Sequence, residues 1–206
     1  MDLAGSYDRV ARAYGDRIAG ELVHKPFDRE ILARFADRVR GRGPVCDAGC
    51  GPGHVAAHLA GLGLEVVGVD LSPGMVAEAR RRFPAIEFRT GDLFALEGPP
   101  GGWAGIAAMY SILHASPEEL PRMFEGLRAR LRPGGLLLVA FHIGTGILHL
   151  DDWWGVPVDL DFRYHERMPV EAALVAAGFT IEESLERDPY PDVEHPSRRA
   201  YLLAHA

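Results

Sequence analysis

The chain has 206 residues, of which 48% are hydrophobic and 25% are charged, and its formal net charge is −7. This length and composition predict one globular domain, residues 1–206, with a sizeable core. The negative charge argues against a nucleic-acid or membrane-surface partner, because binding to phosphate groups requires a basic surface.

Cysteine content and targeting signals exclude further classes. Cys46 and Cys50 are too few for a disulfide framework or a zinc site, and the histidines show no metal-ligand spacing. The N-terminal residues lack the basic start and apolar run of a signal peptide. No apolar stretch approaches the ~20 residues that cross a bilayer. We therefore expect a cytoplasmic protein without a metal, either a monomer or a homodimer.

The N-terminal segment, residues 1–43, is predicted to form a helical cap. Apolar and aromatic side chains recur there at helical spacing, and Pro26 separates two helices. Tyr7 and Tyr14 are seven residues apart and therefore lie on one face of the first helix. The spacing leaves open whether they pack in the core or contact a ligand.

From residue 44 onward, apolar strands alternate with helices. The predicted elements are strand 44–48, helix 53–62, strand 64–70, helix 73–83 with Ser72 as its cap, strand 85–89, strand 103–111, a helix from about 116 to 131, and strand 136–142. Such alternation implies a parallel sheet that is covered by helices on both faces.

The pattern becomes irregular after the fifth strand. Residues 143–167 contain two glycines, paired tryptophans and a strand-like alternation, which predict an inserted hairpin or lid. A helix over 169–177 follows, and then strands over 179–187 and 198–206. The loop between these two strands is too short for a crossover helix, so we expect them to be antiparallel.

A glycine-rich turn follows the first strand. Asp47 precedes glycines at the alternate positions 49, 51 and 53, whereas the dinucleotide fingerprint requires its third glycine at position 54, where the chain has His54. The carboxylate of Asp47 beside the turn would repel a pyrophosphate and suits a cationic ligand. The acidic residues that end the next two strands, Asp70 and Asp92, are placed to read a ribose and an adenine amino group. Together they predict an adenosine ligand with a positively charged, amine-bearing tail and no phosphates.

Five motifs over residues 44–142 resemble those of the class I S-adenosylmethionine-dependent methyltransferases, in the small-molecule type with an N-terminal helical cap. They are VCDAGCGPGHVA, VVGVDLSPGMVAEAR, GDLFAL, AGIAAMYSILHA and LRPGGLLLVAFH. The resemblance implies an α/β fold: a Rossmann-like three-layer sandwich with seven strands in the order 3-2-1-4-5-7-6 and strand 7 antiparallel. Residues 44–142 would bind the cofactor and 168–206 would form the C-terminal helix and strand hairpin, while 143–167 lie outside the shared pattern.

The resemblance also implies which residues surround S-adenosylmethionine. They would hold its methionine part, ribose, adenine and sulfonium, with a tyrosine of the first helix closing over it. The implied cofactor-binding residues are Tyr14, Asp47, Gly49, Cys50, Gly51, Asp70, Leu71, Met75, Asp92, Leu93, Tyr110 and Ser111.

Two histidines and a group of aromatic residues are the candidates for chemistry at the acceptor. His114 and His142 follow strands 4 and 5, at the sheet edge where open α/β sheets bind ligands, and either is a candidate general base. Orientation of a loop or contact with the cofactor is the alternative role for each. Tyr7, Trp153, Trp154 and Tyr164 are the candidate substrate contacts. Packing of the hairpin onto the domain is the alternative role of the aromatic residues in the insert.

The predicted reaction is in-line transfer of a methyl group to an O, N or C nucleophile of a small molecule, with S-adenosylhomocysteine as the second product. A protein- or RNA-directed methyltransferase, a non-catalytic S-adenosylmethionine-binding module and a nucleotide-dependent dehydrogenase are the alternatives.

Overall fold

A computed structural model describes residues 2–99 and 101–206. The helices are α1 Leu3–Ile18, α2 Pro26–Val39, α3 His54–Gly61, α4 Pro73–Arg82, α5 Leu120–Arg130 and α6 Arg167–Ala176. The strands are β1 Val45–Ala48, β2 Val66–Asp70, β3 Glu87–Thr90, β4 Trp103–Met109, β5 Leu131–His142, β6 Ile147–Trp153, β7 Val156–Arg163, β8 Thr180–Arg187 and β9 Arg199–His205. Short 3₁₀ turns cover Glu21–His24, Leu93–Ala95 and Ile112–His114.

Seven strands form one sheet in the order β3-β2-β1-β4-β5-β9-β8. Strands β1 to β5 pair in parallel, and β9 is antiparallel to both β5 and β8. The predicted strand order and the antiparallel last strand are therefore confirmed, with β8 and β9 as the sixth and seventh strands of the sheet. The chain crosses from β3 to the opposite side of β1, so the carboxyl ends of β1 and β4 border the crevice in which sheets of this kind bind ligands.

Helices cover both faces of the sheet, as the alternating pattern predicts. The core on one face is formed with α2, α3 and α4, and the core on the other face with α5 and α6. Phe35 and Phe124 are fully buried, one in each core. Phe35 approaches β4 so closely that a Cβ on Gly105 would lie 2.5 Å from its ring, so a glycine at this position permits the packing.

The insert is a separate two-stranded sheet, β6 with β7, and the two strands are antiparallel. Its inner face is not a free lid, because Val158 and Leu160 are buried against Val10 and Ala11 of α1. Helix α1 thus connects the hairpin to α4 on the main domain. No helix within 2–99 and 101–206 is long and apolar enough to cross a membrane.

Candidate active site

Two adjoining cavities lie at the carboxyl edge of the sheet. The first, of about 280 Å³, is bordered by α1, the turn after β1 and the ends of β2 and β4. The second, of about 370 Å³, is bordered by α1, the end of β5, the β6–β7 hairpin and the loop before β9. Four side chains line both cavities: Tyr7, Tyr14, Glu21 and Tyr110. A group bound at this shared wall is accessible from either side.

Each residue that the sequence predicts for the site lines one of these cavities. The twelve predicted cofactor residues and His114 line the first cavity. His142, Trp153, Trp154 and Tyr164 line the second, and Tyr7 lines both. The structure therefore brings these residues together, while their individual ligand-binding roles stay predictions.

The glycine turn is held in place by hydrogen bonds to the end of β2. The amide of Gly49 donates to the Val69 carbonyl at 2.7 Å, and the amide of Gly51 donates to Oδ2 of Asp70 at 2.8 Å. Gly49 has a φ of +77°, and a Cβ at this position would lie 2.3 Å from Cβ of Ser111. Glycine is thus required at 49 for both its backbone conformation and its contact with the segment after β4.

Gly49→Ala is expected to destabilise the fold by more than about 1 kcal/mol, because alanine disfavours the left-handed conformation and its methyl group clashes with Ser111. The matched control is Gly61→Ala at the end of α3, where a Cβ meets nothing within 4 Å. The control is expected to be neutral or slightly stabilising. Urea unfolding of both variants measures the difference, and equal stability of the two would contradict the assignment.

Asp47 supplies a carboxylate that fits a bound cation. Its side chain is 1% exposed, and Oδ2 has no hydrogen-bond partner among the described residues. Burial raises the pKa of Asp47 to about 7. A buried polar atom without a partner is costly, and a positively charged donor would relieve that cost.

The first cavity as a whole is acidic. Six carboxylates line it, and no lysine or arginine of the described residues does so. Asp70 uses its two oxygens to fix the turn, accepting from the amides of Gly51 and Ser72. A carboxylate has about four acceptor sites, so Asp70 retains capacity for ribose hydroxyl groups. This set of carboxylates therefore fits S-adenosylmethionine, whose ammonium and sulfonium groups are cationic. Within 2–99 and 101–206 no group of three histidine, cysteine, aspartate or glutamate side chains could hold a metal ion.

His114 links the cap to the hairpin. Its Nδ1 lies 2.9 Å from the backbone carbonyl of Asp161, and its Nε2 lies 2.8 Å from the hydroxyl of Tyr7. A carbonyl only accepts, so Nδ1 carries the proton and Nε2 accepts from Tyr7. Burial lowers the pKa of His114 to about 4. Both nitrogens of this neutral ring are already engaged, so His114 receives a proton from an acceptor only if Tyr7 moves.

His142 is arranged differently. Its Nδ1 lies 2.8 Å from Oγ of Ser197, and its Nε2 has no hydrogen-bond partner in the described part of the chain. Burial, with a smaller contribution from the charge of Arg199, lowers the pKa of His142 to about 3. The second cavity therefore has a neutral imidazole on its wall with one nitrogen free, which donates or accepts a hydrogen bond according to the tautomer because the hydroxyl of Ser197 can play either role.

Aromatic rings from the cap and the hairpin form the other wall. Trp153 stacks on Trp154 with ring centroids 4.9 Å apart and meets Tyr14 edge-on at 5.1 Å. Trp154 is 40% exposed, and the guanidinium of Arg17 lies 4.7 Å from its ring centre. Trp153 and Trp154 line the second cavity and also pack onto α1, so packing of the hairpin is confirmed, whereas contact with a substrate stays a prediction.

A buried ionic network at the floor of the site is not detectable in the sequence. Arg187 pairs with Asp28 and with Glu194, each at 2.6 Å. The hydroxyl of Tyr110 donates to Asp28 at 2.9 Å, which fixes the ring between the two cavities. Lys25 pairs with Glu21 at 2.7 Å and lies 3.6 Å from Glu194. Its members lie far apart along the chain, and no motif marks them.

The fold is that of an α/β protein, and its acidic first cavity fits a cationic adenosine cofactor beside a second, aromatic-walled cavity. The family model described as "Methyltransferase domain" matches residues 45–135. A demethylmenaquinone methyltransferase of Beutenbergia cavernae is 35% identical over 141 residues, which are 68% of this chain and 57% of that protein. A malonyl (acyl-carrier protein) O-methyltransferase of Enterobacter lignolyticus is 34% identical in an alignment that covers 70% of this chain and 58% of that protein.

Similarity to a solved structure extends over the whole chain. The CcbJ methyltransferase from Streptomyces caelestis superposes with a TM-score of 0.72 at 20% identity, covering 98% of each chain. The chain therefore carries a methyltransferase domain of the class I S-adenosylmethionine-dependent type over residues 45–135, and its fold resembles that of a methyltransferase over its whole length. It spans less than three fifths of the length of the two curated relatives, so their acceptors do not transfer to it.

Proposed function

We propose that the chain transfers a methyl group from S-adenosylmethionine to an O, N or C nucleophile of a small molecule. The observation that carries the proposal is the shared wall between the two cavities, where Tyr7, Tyr14, Glu21 and Tyr110 contact both spaces. An in-line displacement requires donor and acceptor to meet along one axis in a fixed orientation. Two cavities that open on the same four side chains support such a meeting.

In this proposal the first cavity holds the cofactor. Asp47 binds its ammonium group, Asp70 accepts from its ribose hydroxyls, and Asp92 with Leu93 brackets the adenine. Tyr14 closes over it from α1. When bound, S-adenosylmethionine supplies a sulfonium-activated methyl group, and the protein contributes positioning and electrostatics.

The second cavity holds the acceptor. The hairpin supplies an apolar wall, which excludes water from the nucleophile. His142 offers its free Nε2 to the nucleophile, and because its pKa is lowered to about 3 it acts as a neutral hydrogen-bonding group rather than as a strong base. Tyr7 borders the same space with its hydroxyl donated to His114.

A small-molecule acceptor fits better than a macromolecule. The hairpin packs against α1 beside the second cavity, which limits the space for a folded protein or RNA chain. The net charge of −7 also disfavours RNA. The cytoplasmic location and the monomeric or dimeric state stay predictions.

Methyl transfer from labelled cofactor tests the proposal. The protein is incubated with methyl-labelled S-adenosylmethionine and either the small-metabolite or the macromolecular fraction of a cell extract, with heat-denatured protein as the control. Label is expected in at least one small-molecule product. Transfer only to protein or RNA would show that the acceptor is a macromolecule rather than a small molecule. Tight binding of S-adenosylhomocysteine without any transfer would favour a non-catalytic binding module. Preference for NAD(H) in calorimetry would overturn the cofactor assignment.

A further inference from the structure

The two cavities differ in charge. Six carboxylates and no lysine or arginine of the described residues line the first cavity, whereas three cations, Lys25, Arg163 and Arg199, and two carboxylates, Glu21 and Glu194, line the second. The carboxylate of Glu194 is fully buried and is shared among Arg187, Lys25 and Arg199, so the cations still outnumber the carboxylates at this wall. The acceptor side of the site therefore favours a negatively charged group next to the cation-binding side.

Arg199 is the most buried of these three cations. It is 2% exposed, and Nη1 donates to the carbonyls of His195 and Ser197. Its Nε is buried without a hydrogen-bond partner among the described residues and forms a long ion pair of 3.4 Å with Oε1 of Glu194. A guanidinium carries five N–H donors, and the described hydrogen bonds use Nη1 alone. A buried guanidinium with unused N–H donors favours the binding of a negatively charged oxygen.

His142 lies directly beside Arg199. The two residues are paired across the antiparallel ladder between β5 and β9, so their side chains leave the same face of the sheet. Both line the second cavity, and Nε2 of His142 has no partner in the described chain. An oxygen bound here would therefore contact a guanidinium and a neutral imidazole together.

The part of the second cavity that the hairpin forms is mainly apolar and aromatic. Leu148, Leu150 and Phe162 of the hairpin line it together with Trp153 and Trp154. Aromatic walls suit a flat apolar body and are also compatible with a cation. The buried charge of Arg199 decides between these ligands, because like charges in a desolvated site repel strongly.

We propose that the acceptor is a small molecule with a flat apolar body and an anionic oxygen group, a carboxylate or an ionised hydroxyl, which Arg199 binds with His142. Arg199 is then the residue that determines specificity for acidic acceptors. The identification of this ligand as the methyl acceptor rests on the proposed function, whereas the charge preference of the cavity does not.

Binding of three probes of matched shape tests the charge preference. The protein saturated with S-adenosylhomocysteine is titrated with 3-phenylpropionate, 3-phenylpropionamide and 3-phenylpropylamine, which are anionic, neutral and cationic. The acid is expected to bind at least about ten-fold more tightly than the amide, with the amine weakest, since an ion-paired hydrogen bond exceeds a neutral one. Binding of the amine equal to or tighter than that of the acid, or no binding of the acid at millimolar concentration, overturns the proposal.

A variant pair assigns the preference to Arg199. Arg199→Gln is expected to bind the acid and the amide equally, whereas Arg198→Gln keeps the preference. Arg198 carries the same charge at the neighbouring position, but its side chain is 56% exposed and pairs with Glu186 and Asp188 outside the cavity. If Arg199→Gln does not fold, the comparison of acid and amine on the unchanged protein still decides the proposal.

The outcome of these binding tests can be separated from the outcome of the methyl-transfer test of the proposed function. A protein that prefers the acid but transfers no methyl group keeps the charge inference and loses the proposed function. Conversely, an acceptor from the extract that is methylated but carries neither a carboxylate nor an ionisable hydroxyl group keeps the proposed function and overturns the inference.

Discussion

Asp47→Asn is expected to weaken binding of S-adenosylmethionine and S-adenosylhomocysteine by about 10- to 100-fold. Oδ2 of Asp47 is buried without a partner, and the loss of its charge removes a charge-assisted hydrogen bond worth roughly 1.5–3 kcal/mol. Calorimetric titration at neutral pH measures the change. Asp37→Asn is the matched control, because Asp37 is exposed on α2, pairs with Arg40 and lines neither cavity. Unchanged affinity in a folded Asp47→Asn protein would remove Asp47 from the site.

The same residue makes cofactor binding depend on pH. The pKa of Asp47 is about 7 in the cofactor-free protein because of burial, so the carboxyl group is largely protonated below that pH. A cationic ligand binds the ionised form, and affinity in the unchanged protein should therefore fall as the pH drops below about 7, by up to about ten-fold per unit. In the Asp47→Asn protein, this decrease in cofactor affinity at low pH should be absent. Identical pH slopes for the two proteins would contradict the assignment.

Linkage fixes the sign of the effect on stability. The pKa of Asp47 is raised above its unfolded value, so the native cofactor-free protein binds more protons than the unfolded chain between the two pKa values. The contribution of Asp47 to the free energy of unfolding therefore decreases as the pH rises from about 4 to 7. Cofactor opposes this trend by favouring the ionised group. The stabilisation that S-adenosylhomocysteine adds should therefore increase as the pH rises from about 4 to 7, which unfolding curves with and without it would measure.

The sequence predicts the fold well where local signals and sheet geometry agree. Ser72 caps α4, as predicted, because its hydroxyl accepts from the amide of Met75 at 3.0 Å. The helix predicted from residue 116 begins only at Leu120, because the preceding residues form a turn in which Glu119 accepts from the amide of Ser116. Strand β5 begins at Leu131 rather than at residue 136, since Leu131 pairs with Trp103 on β4. Such pairing depends on tertiary contacts that local patterns do not contain.

The residues of the candidate site also divide into those that the sequence predicts and those that only the structure reveals. Residues such as Asp47, Asp70 and Asp92 are predictable, because the carboxyl ends of adjacent parallel strands meet at one edge of the sheet. Arg199 and Glu21 also lie at this edge of the sheet, but neither residue belongs to a recognisable sequence motif. Arg199 is a charged residue at the start of an otherwise apolar strand, and this departure from the pattern is the one signal that marks it.

The different surroundings of the two candidate histidines also required the structure. Both follow a strand at the same edge of the sheet, so their positions in the sequence do not separate them. His114 is occupied at both nitrogens and lines the first cavity, whereas His142 keeps one nitrogen free and lines the second. Variants of these residues should therefore affect different kinetic constants.

His142→Ala is expected to lower turnover of methyl transfer by about 10- to 100-fold and leave the affinity for S-adenosylhomocysteine nearly unchanged. His142 lines the second cavity and not the first, and the loss of its proposed hydrogen bond to the anionic oxygen of the acceptor costs roughly 1.5–3 kcal/mol. Because the pKa of His142 is lowered to about 3, this residue should contribute no loss of rate at saturating cofactor between about pH 5 and 8.

His149→Ala is the matched control for that variant, because His149 is exposed on the hairpin and lines neither cavity. Its turnover should equal that of the unchanged protein. A rate that depends on a histidine-like pKa near about 6.5 and loses this dependence in His142→Ala would show a general base instead. Equal losses of turnover and cofactor affinity would place His142 against the cofactor. Turnover is measured by transfer of label to the acceptor fraction, and cofactor affinity is measured by calorimetry. Together with the pH profile, these measurements separate hydrogen bonding at the acceptor from proton removal and from cofactor binding.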